Sequence, residues 1–153
     1  SPSLNFRISP ADKAIRGALL LAGFQRCLLT VQKFDSDTER VLAVILDRDA
    51  EKWFRPAVRQ FQIEYRDGHQ YRSYQPDFVA ELADRIVMIE TKAHNQMDDR
   101  IVQAKRTAAV EWCKHASSHA AADGSKPWQY ALIPHDEIRE NWDIGRLLAH
   151  WTT

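Results

Sequence analysis

The chain has 153 residues, enough for one domain of ordinary size, and no apolar run is long enough to cross a membrane. Hydrophobic residues make up 44% and there are five Trp, so a real core is expected and disorder is excluded. Lys plus Arg equals Asp plus Glu at 21 each, so the net charge neither demands nor forbids a nucleic-acid partner.

Residues 10 to 22 are expected to form a helix: Pro10 suits the first turn, Ile15, Ala18, Leu19 and Ala22 keep helical spacing, and Gly23 ends it. Residues 24 to 33 read as a short strand or an irregular segment. A second helix is expected from about 37 to 46, capped by Ser36 or Asp37, with Val41, Leu42 and Ile45 as its apolar stripe. The period then changes. Gln60 to Tyr65 alternates as a half-buried strand does, Asp67-Gly68 signals a hairpin turn, and Gln70 to Tyr74 alternates again before Pro76. Phe78 to Leu82 continues as strand. Ile86-Val87-Met88-Ile89 suits a strand buried on both faces. A long helix is expected from Met97 to about Ser117, a loop from Ala120 to Lys126, a strand from Trp128 to Ile133 and a closing helix from Asp136 to Trp151. The fold class is α/β, with a small mixed sheet between helices: the hairpin supplies antiparallel pairs, and a crossover through the long helix permits a parallel one.

Chemistry concentrates in Pro76-Asp77 and Glu90-Thr91-Lys92. Glu90 and Lys92 lie two apart on a strand and so share a face. Two carboxylates suit Mg²⁺, which keeps several waters and also takes phosphate oxygens. Lys92 would orient or help deprotonate an attacking water, or stabilise the charge that develops. Taken singly, Asp77 is a turn residue after a proline, and Glu90 with Lys92 is a cross-strand charge pair. Taken together, they favour a catalytic site.

This pattern resembles the PD-(D/E)xK nuclease superfamily, whose core runs helix, three-stranded antiparallel meander, helix, strand. With Phe34-Asp35-Ser36-Asp37-Thr38-Glu39-Arg40, Lys52-Trp53 and Tyr74-Gln75-Pro76-Asp77-Phe78 added, it is similar to the C-terminal nuclease domain of type III restriction enzymes and related helicase-like restriction proteins, over roughly residues 13 to 115. The resemblance implies a restriction-endonuclease-like fold and Mg²⁺-dependent hydrolysis of DNA, with Mn²⁺ able to substitute. It places Asp77, Glu90, Lys92 and Glu39 in the catalytic set. Asp77, Glu90, Glu39 and the backbone carbonyl of Thr91 would be the metal ligands. Glu39 is otherwise explained by capping-box chemistry. Gln103 or Lys105 would match a polar residue that some relatives carry on the following helix. The resemblance also implies a helicase or ATPase partner. No GxxxxGK[ST] phosphate loop occurs here, and the opening Ser1-Pro2-Ser3, without Met, suits either a domain excised from a longer, helicase-like protein or a processed or tagged chain.

Other residues carry less. Cys27 and Cys113 read as free thiols of a cytoplasmic protein, and no signal peptide is recognisable. His94 and His115 read as surface residues, Asp98-Asp99 as a helix-start charge pair, and the Trp residues as core. Arg55, Arg59, Arg66 and Arg72 around the hairpin form a solvated face or touch DNA phosphates. Two rival functions remain: a catalytically weak nucleic-acid-binding module of the same fold, and a domain that docks onto a helicase, which an exposed apolar patch away from the triad would favour.

Overall fold

The computed structural model describes residues 4–7, 21–29 and 31–153. Three very short strands, β1 (Leu4–Asn5), β2 (Leu21–Ala22) and β3 (Val31–Gln32), form a small sheet in that order. The helix expected at 10 to 22 falls mostly outside the described residues, and its last two positions, Leu21 and Ala22, are strand rather than helix.

The site is built on a four-stranded mixed sheet of order β4-β7-β8-β9. Its strands are β4 (Lys52–Phe54), β7 (Phe78–Glu81), β8 (Ile86–Lys92) and β9 (Trp128–Pro134). β4, β7 and β8 pair antiparallel, and β9 joins β8 in parallel, with Glu90 opposite Leu132. The crossover between them is helix α2 (Arg100–Asp123), as the sequence suggested. The expected meander is corrected in its membership. The hairpin β5 (Ile63–Asp67) and β6 (Gln70–Tyr74) is a separate two-stranded sheet, and β4, unforeseen, takes its place beside β7. Ile63, Tyr65 and Tyr74 explain why: they bury against Met88, Tyr130 and the α2 residues Ala109 and Cys113, so the hairpin lies over the sheet and not in its plane.

Alternation along β8 separates two cores. Val87 and Ile89 face helix α1 (Asp37–Asp49) and helix α3 (Ile144–Trp151), with Leu42, Ile45, Leu147 and Leu148. Met88 faces α2 and the hairpin. Glu90 and Lys92 continue the Met88 side by the period of two.

The ends of the helices are set by local polar chemistry. Ser36 caps α1 by accepting the Glu39 N–H, and α1 runs three residues past its expected end. α2 starts at Arg100, after a 3-10 turn at His94–Gln96, and continues to Asp123, so the expected loop at 120–126 is mostly helix. Gly124 ends it in the left-handed region at φ 76°, where a side chain would be strained. The closing helix is shorter than expected. Only His135–Glu137 (a 3-10 turn) and α3 are helical, because Asp143 caps α3 by accepting the Arg146 N–H.

Asp47, on α1, ties the β2–β3 connection to the sheet. Its buried carboxylate accepts the Gln25 and Arg26 backbone N–H groups and the Trp53 indole N–H. Trp53 is itself fully buried and packs edge-on to Phe24. Removing the acceptor leaves these donors unpaired, at about 1–3 kcal/mol for a buried group. Asp47→Ala is therefore expected to lower unfolding free energy by roughly 2–3 kcal/mol, read as a fall in urea midpoint at unchanged slope. An unshifted midpoint would show that the network does not hold this layer.

Candidate active site

β8 delivers the central residues. Its apolar run carries Glu90 and Thr91 into the interior, at 7% and 5% exposure, and releases Lys92 at its end, half-buried. Pro76 and Asp77 lie just before β7, the antiparallel neighbour of β8. Pro76 cannot donate to a ladder, so the chain is free to turn the Asp77 carboxylate toward β8. There Asp77 Oδ2 accepts the Thr91 backbone N–H at 2.9 Å, with the Thr91 hydroxyl at 3.4 Å.

The structure thus brings Asp77, Glu90, Thr91 and Lys92 together. Burial drives the Glu90 carboxyl well above the ordinary carboxylate range, and the charge of Asp77 beside it raises it further; Lys92 and, more weakly, Lys105 act in the opposite direction. Glu90 Oε1 is buried and makes no hydrogen bond among the described residues.

Glu39 stands beside this group. It is 7% exposed, and burial raises its carboxyl, Arg55 opposes the shift, and Asp77 adds to it. Its Oε2 accepts from Arg55 Nη2 at 2.9 Å and from the Asp35 N–H at 3.0 Å. The capping box is therefore half formed: the Glu39 N–H reaches Ser36, but its carboxylate serves Asp35 and Arg55 instead of the cap residue.

Arg55 is the neighbour that sequence reasoning missed. Its side chain is 15% exposed, bonds the Lys33 carbonyl, and lies over the rings of Phe34 and Phe78. It belongs to the Glu39 carboxylate, not to a solvated face. Nothing in the run Phe54-Arg55-Pro56 announces this, since the partner is sixteen residues away on α1. Arg59, Arg66 and Arg72 are exposed, as a solvated face would be.

Of the two polar α2 candidates, Gln103 turns away to donate to the Met97 carbonyl. Lys105 lies over the rings of Tyr65 and Tyr74, and its charge reaches Glu90. His94 is exposed and pairs with Asp136, and His115 is exposed. Both cysteines are free.

A metal at this site would have to be held by hard oxygens. Among the described residues no group of three or more His, Cys, Asp or Glu side chains is arranged to hold an ion. The pair Asp77 and Glu90 nevertheless fits Mg²⁺, which is commonly bound by one or two carboxylates and completes its shell with water and phosphate. The unpartnered, buried Glu90 Oε1 is the atom such an ion would satisfy. No family model, no curated protein and no solved structure matches this chain. Among the described residues no helix is long and apolar enough to cross a membrane.

Proposed function

We propose that this domain is a PD-(D/E)xK-type nuclease that hydrolyses DNA phosphodiesters with Mg²⁺. The observation that carries the reading is Glu90: a buried carboxyl with an unpartnered oxygen, beside Asp77 and next to Lys92 on the same strand. Burying Glu90 beside the half-buried Asp77 carboxylate costs stability unless a proton or a cation joins them. A site that binds a divalent cation gives that cost a use.

Asp77 and Glu90 would hold the ion, with the Thr91 carbonyl as a further oxygen. The ion supplies polarisation of the phosphate and a lowered pKa for a bound water. The Thr91 N–H holds one Asp77 oxygen and so fixes the orientation of that carboxylate. Lys92 shares the Glu90 face, where its ammonium would orient or help deprotonate the water, or neutralise charge in the transition state. Glu39, held by Arg55, borders the site, where burial first and the charge of Asp77 second raise its carboxyl against the pull of Arg55. The working partners of this reading are DNA and a helicase or ATPase module that feeds it.

The test is a nicking assay on supercoiled and linear DNA. Cleavage should appear with Mg²⁺ or Mn²⁺ and stop with EDTA; cleavage that persists in EDTA contradicts the metal-dependent reading.

One observation favours docking as a second function. Leu28, 62% exposed, borders an apolar groove of about 240 Å³ with Phe54, Ile86 and Trp128. Ile86 and Lys92 are opposite ends of β8, about 20 Å apart at strand rise, so the groove lies away from the charged site. Leu28→Asp should abolish co-purification with a helicase partner yet leave cleavage intact if this groove docks it; retained co-purification argues against docking.

A further inference from the structure

On the other side of Glu90 from Asp77 lies a polar pocket. Its inner wall includes Leu132, the residue of β9 paired with Glu90. The pocket holds about 390 Å³ and is lined by Arg106 from α2, His94 from the segment after β8, and His150 and Trp151 from α3. Its donors include the Arg106 guanidinium and the Trp151 indole N–H. Arg106 has no carboxylate partner among the ion pairs of the described residues; its guanidinium spans the Thr153 hydroxyl at 2.9 Å and the Gln103 amide oxygen at 3.4 Å. The Trp151 indole N–H is buried and unpaired among the described residues. Two carboxylates among the described residues bear on the pocket: Asp98, exposed in the lining, and Asp136, which pairs with His94 at 3.1 Å and leaves Arg106 as the main free cation there.

The pocket and the carboxylate pair share a neighbour. Tyr130, buried between β8 and α2, feels the charges of Glu90, Asp77 and Arg106 together. The charges that act most on Glu90 are Asp77, Lys92 and Lys105, so Arg106 neighbours Tyr130 and stands outside the candidate catalytic centre.

We infer that this pocket seats a phosphate of the substrate strand next to the one that is cut, with Arg106 as its principal contact and His94 and His150 at its margin. The inference rests on the nuclease reading and deepens it. A guanidinium bound only to neutral groups keeps donors for an anion, and a planar fork suits phosphate oxygens. A nucleic-acid strand that places one phosphate over Asp77 and Glu90 must carry its neighbour past one side of that pair, and the β9 side offers this donor-lined pocket. The arrangement would fix the register of the strand and carry no sequence preference.

The experiment uses the full chain, with Ca²⁺ in place of Mg²⁺, and fluorescein-labelled oligonucleotides followed by anisotropy across a salt series. Arg106→Gln should weaken binding roughly tenfold, the loss of about one charge-assisted hydrogen bond. It should also make the salt slope shallower by about one. Arg106→Lys should restore the slope. Replacing phosphates one at a time by neutral methylphosphonates should weaken wild type at a position adjoining the cut, while Arg106→Gln should be indifferent there. His150→Gln gives a milder loss of the same kind and covers the case in which Arg106→Gln does not fold. If wild type binds DNA and Arg106→Gln and His150→Gln bind equally well with the same slope, this inference fails and the nuclease reading stands. If wild type binds no DNA, both fail. If inorganic phosphate at matched ionic strength displaces the strand from wild type but not from Arg106→Gln, while no methylphosphonate position matters, the pocket serves a free anion and the strand assignment is overturned.

Discussion

Lys92→Ala is expected to reduce DNA cleavage by about 100-fold or more, the usual worth of a positioned proton-transfer or charge-stabilising group. Binding of DNA and of the divalent ion should change little. Lys92 sits at the end of β8, half-buried, and an ammonium is no metal ligand. On the proposed function its loss would remove a group that acts on the reacting atoms and leave both carboxylates in place. Lys92→Arg is informative as well: it preserves charge but replaces a compact ammonium with a broad planar fork, so partial activity would favour charge stabilisation over proton transfer. Single-turnover cleavage at saturating enzyme separates this effect from binding. A Lys92→Ala protein that cleaves as fast as wild type removes Lys92 from the mechanism.

Glu90→Gln should produce two opposite effects in one protein. Cleavage should fall on the order of 100-fold, because an amide is a poorer ligand and the ion's share of the barrier is several kcal/mol. Metal-free stability at neutral and alkaline pH should rise. Burial first, and Asp77 second, raise the Glu90 carboxyl above its ordinary value in the folded chain. Between that ordinary value and the raised one, the folded protein holds a proton that the unfolded chain has released. Stability is then complete below the ordinary Glu range and is lost as pH climbs through the raised value. Glutamine has no proton to lose, so the decline should flatten in Glu90→Gln, and Glu39, whose carboxyl is also raised by burial, should account for part of what remains. Thermal melts in EDTA across pH 5 to 9 show this directly (the flanks of the proposed window). Equal pH dependence in the two proteins would mean that Glu90 is not strained in the metal-free state.

Much of this site is written in local sequence. Ile86 to Ile89 is apolar without a break, which suits a strand covered on both faces, so Glu90 and Lys92 follow at its period of two. Asp67-Gly68 fixes the hairpin through Gly68, whose φ of 63° suits the turn. Ser36 fixes the start of α1, and with it the place of Glu39. What local sequence does not carry is pairing between distant segments. β4 is three residues long and has no readable period; it exists because Trp53 buries beneath α1 and hydrogen-bonds Asp47. The hairpin's departure from the main sheet follows from which cluster Tyr65 and Tyr74 join, a tertiary choice. The closing helix breaks because backbone groups between residues 140 and 144 find other partners: Arg48 donates to the Glu140 and Trp142 carbonyls, and Asp49 accepts the Ile144 N–H. Arg55 is hidden for the same reason as β4, its role being defined by Glu39 across the fold.

The restriction-endonuclease-like reading depends on one physical claim: that Asp77 and Glu90 together hold a divalent ion. Mn²⁺ binding measured by calorimetry, with diffraction at the manganese edge on the same protein, tests it most directly. An ion should be found seated between the Asp77 and Glu90 carboxylates, lost in both Asp77→Asn and Glu90→Gln and retained in Lys92→Ala. Mn²⁺ binding that survives in both carboxylate variants, or an anomalous peak located elsewhere with none at this pair, would contradict it.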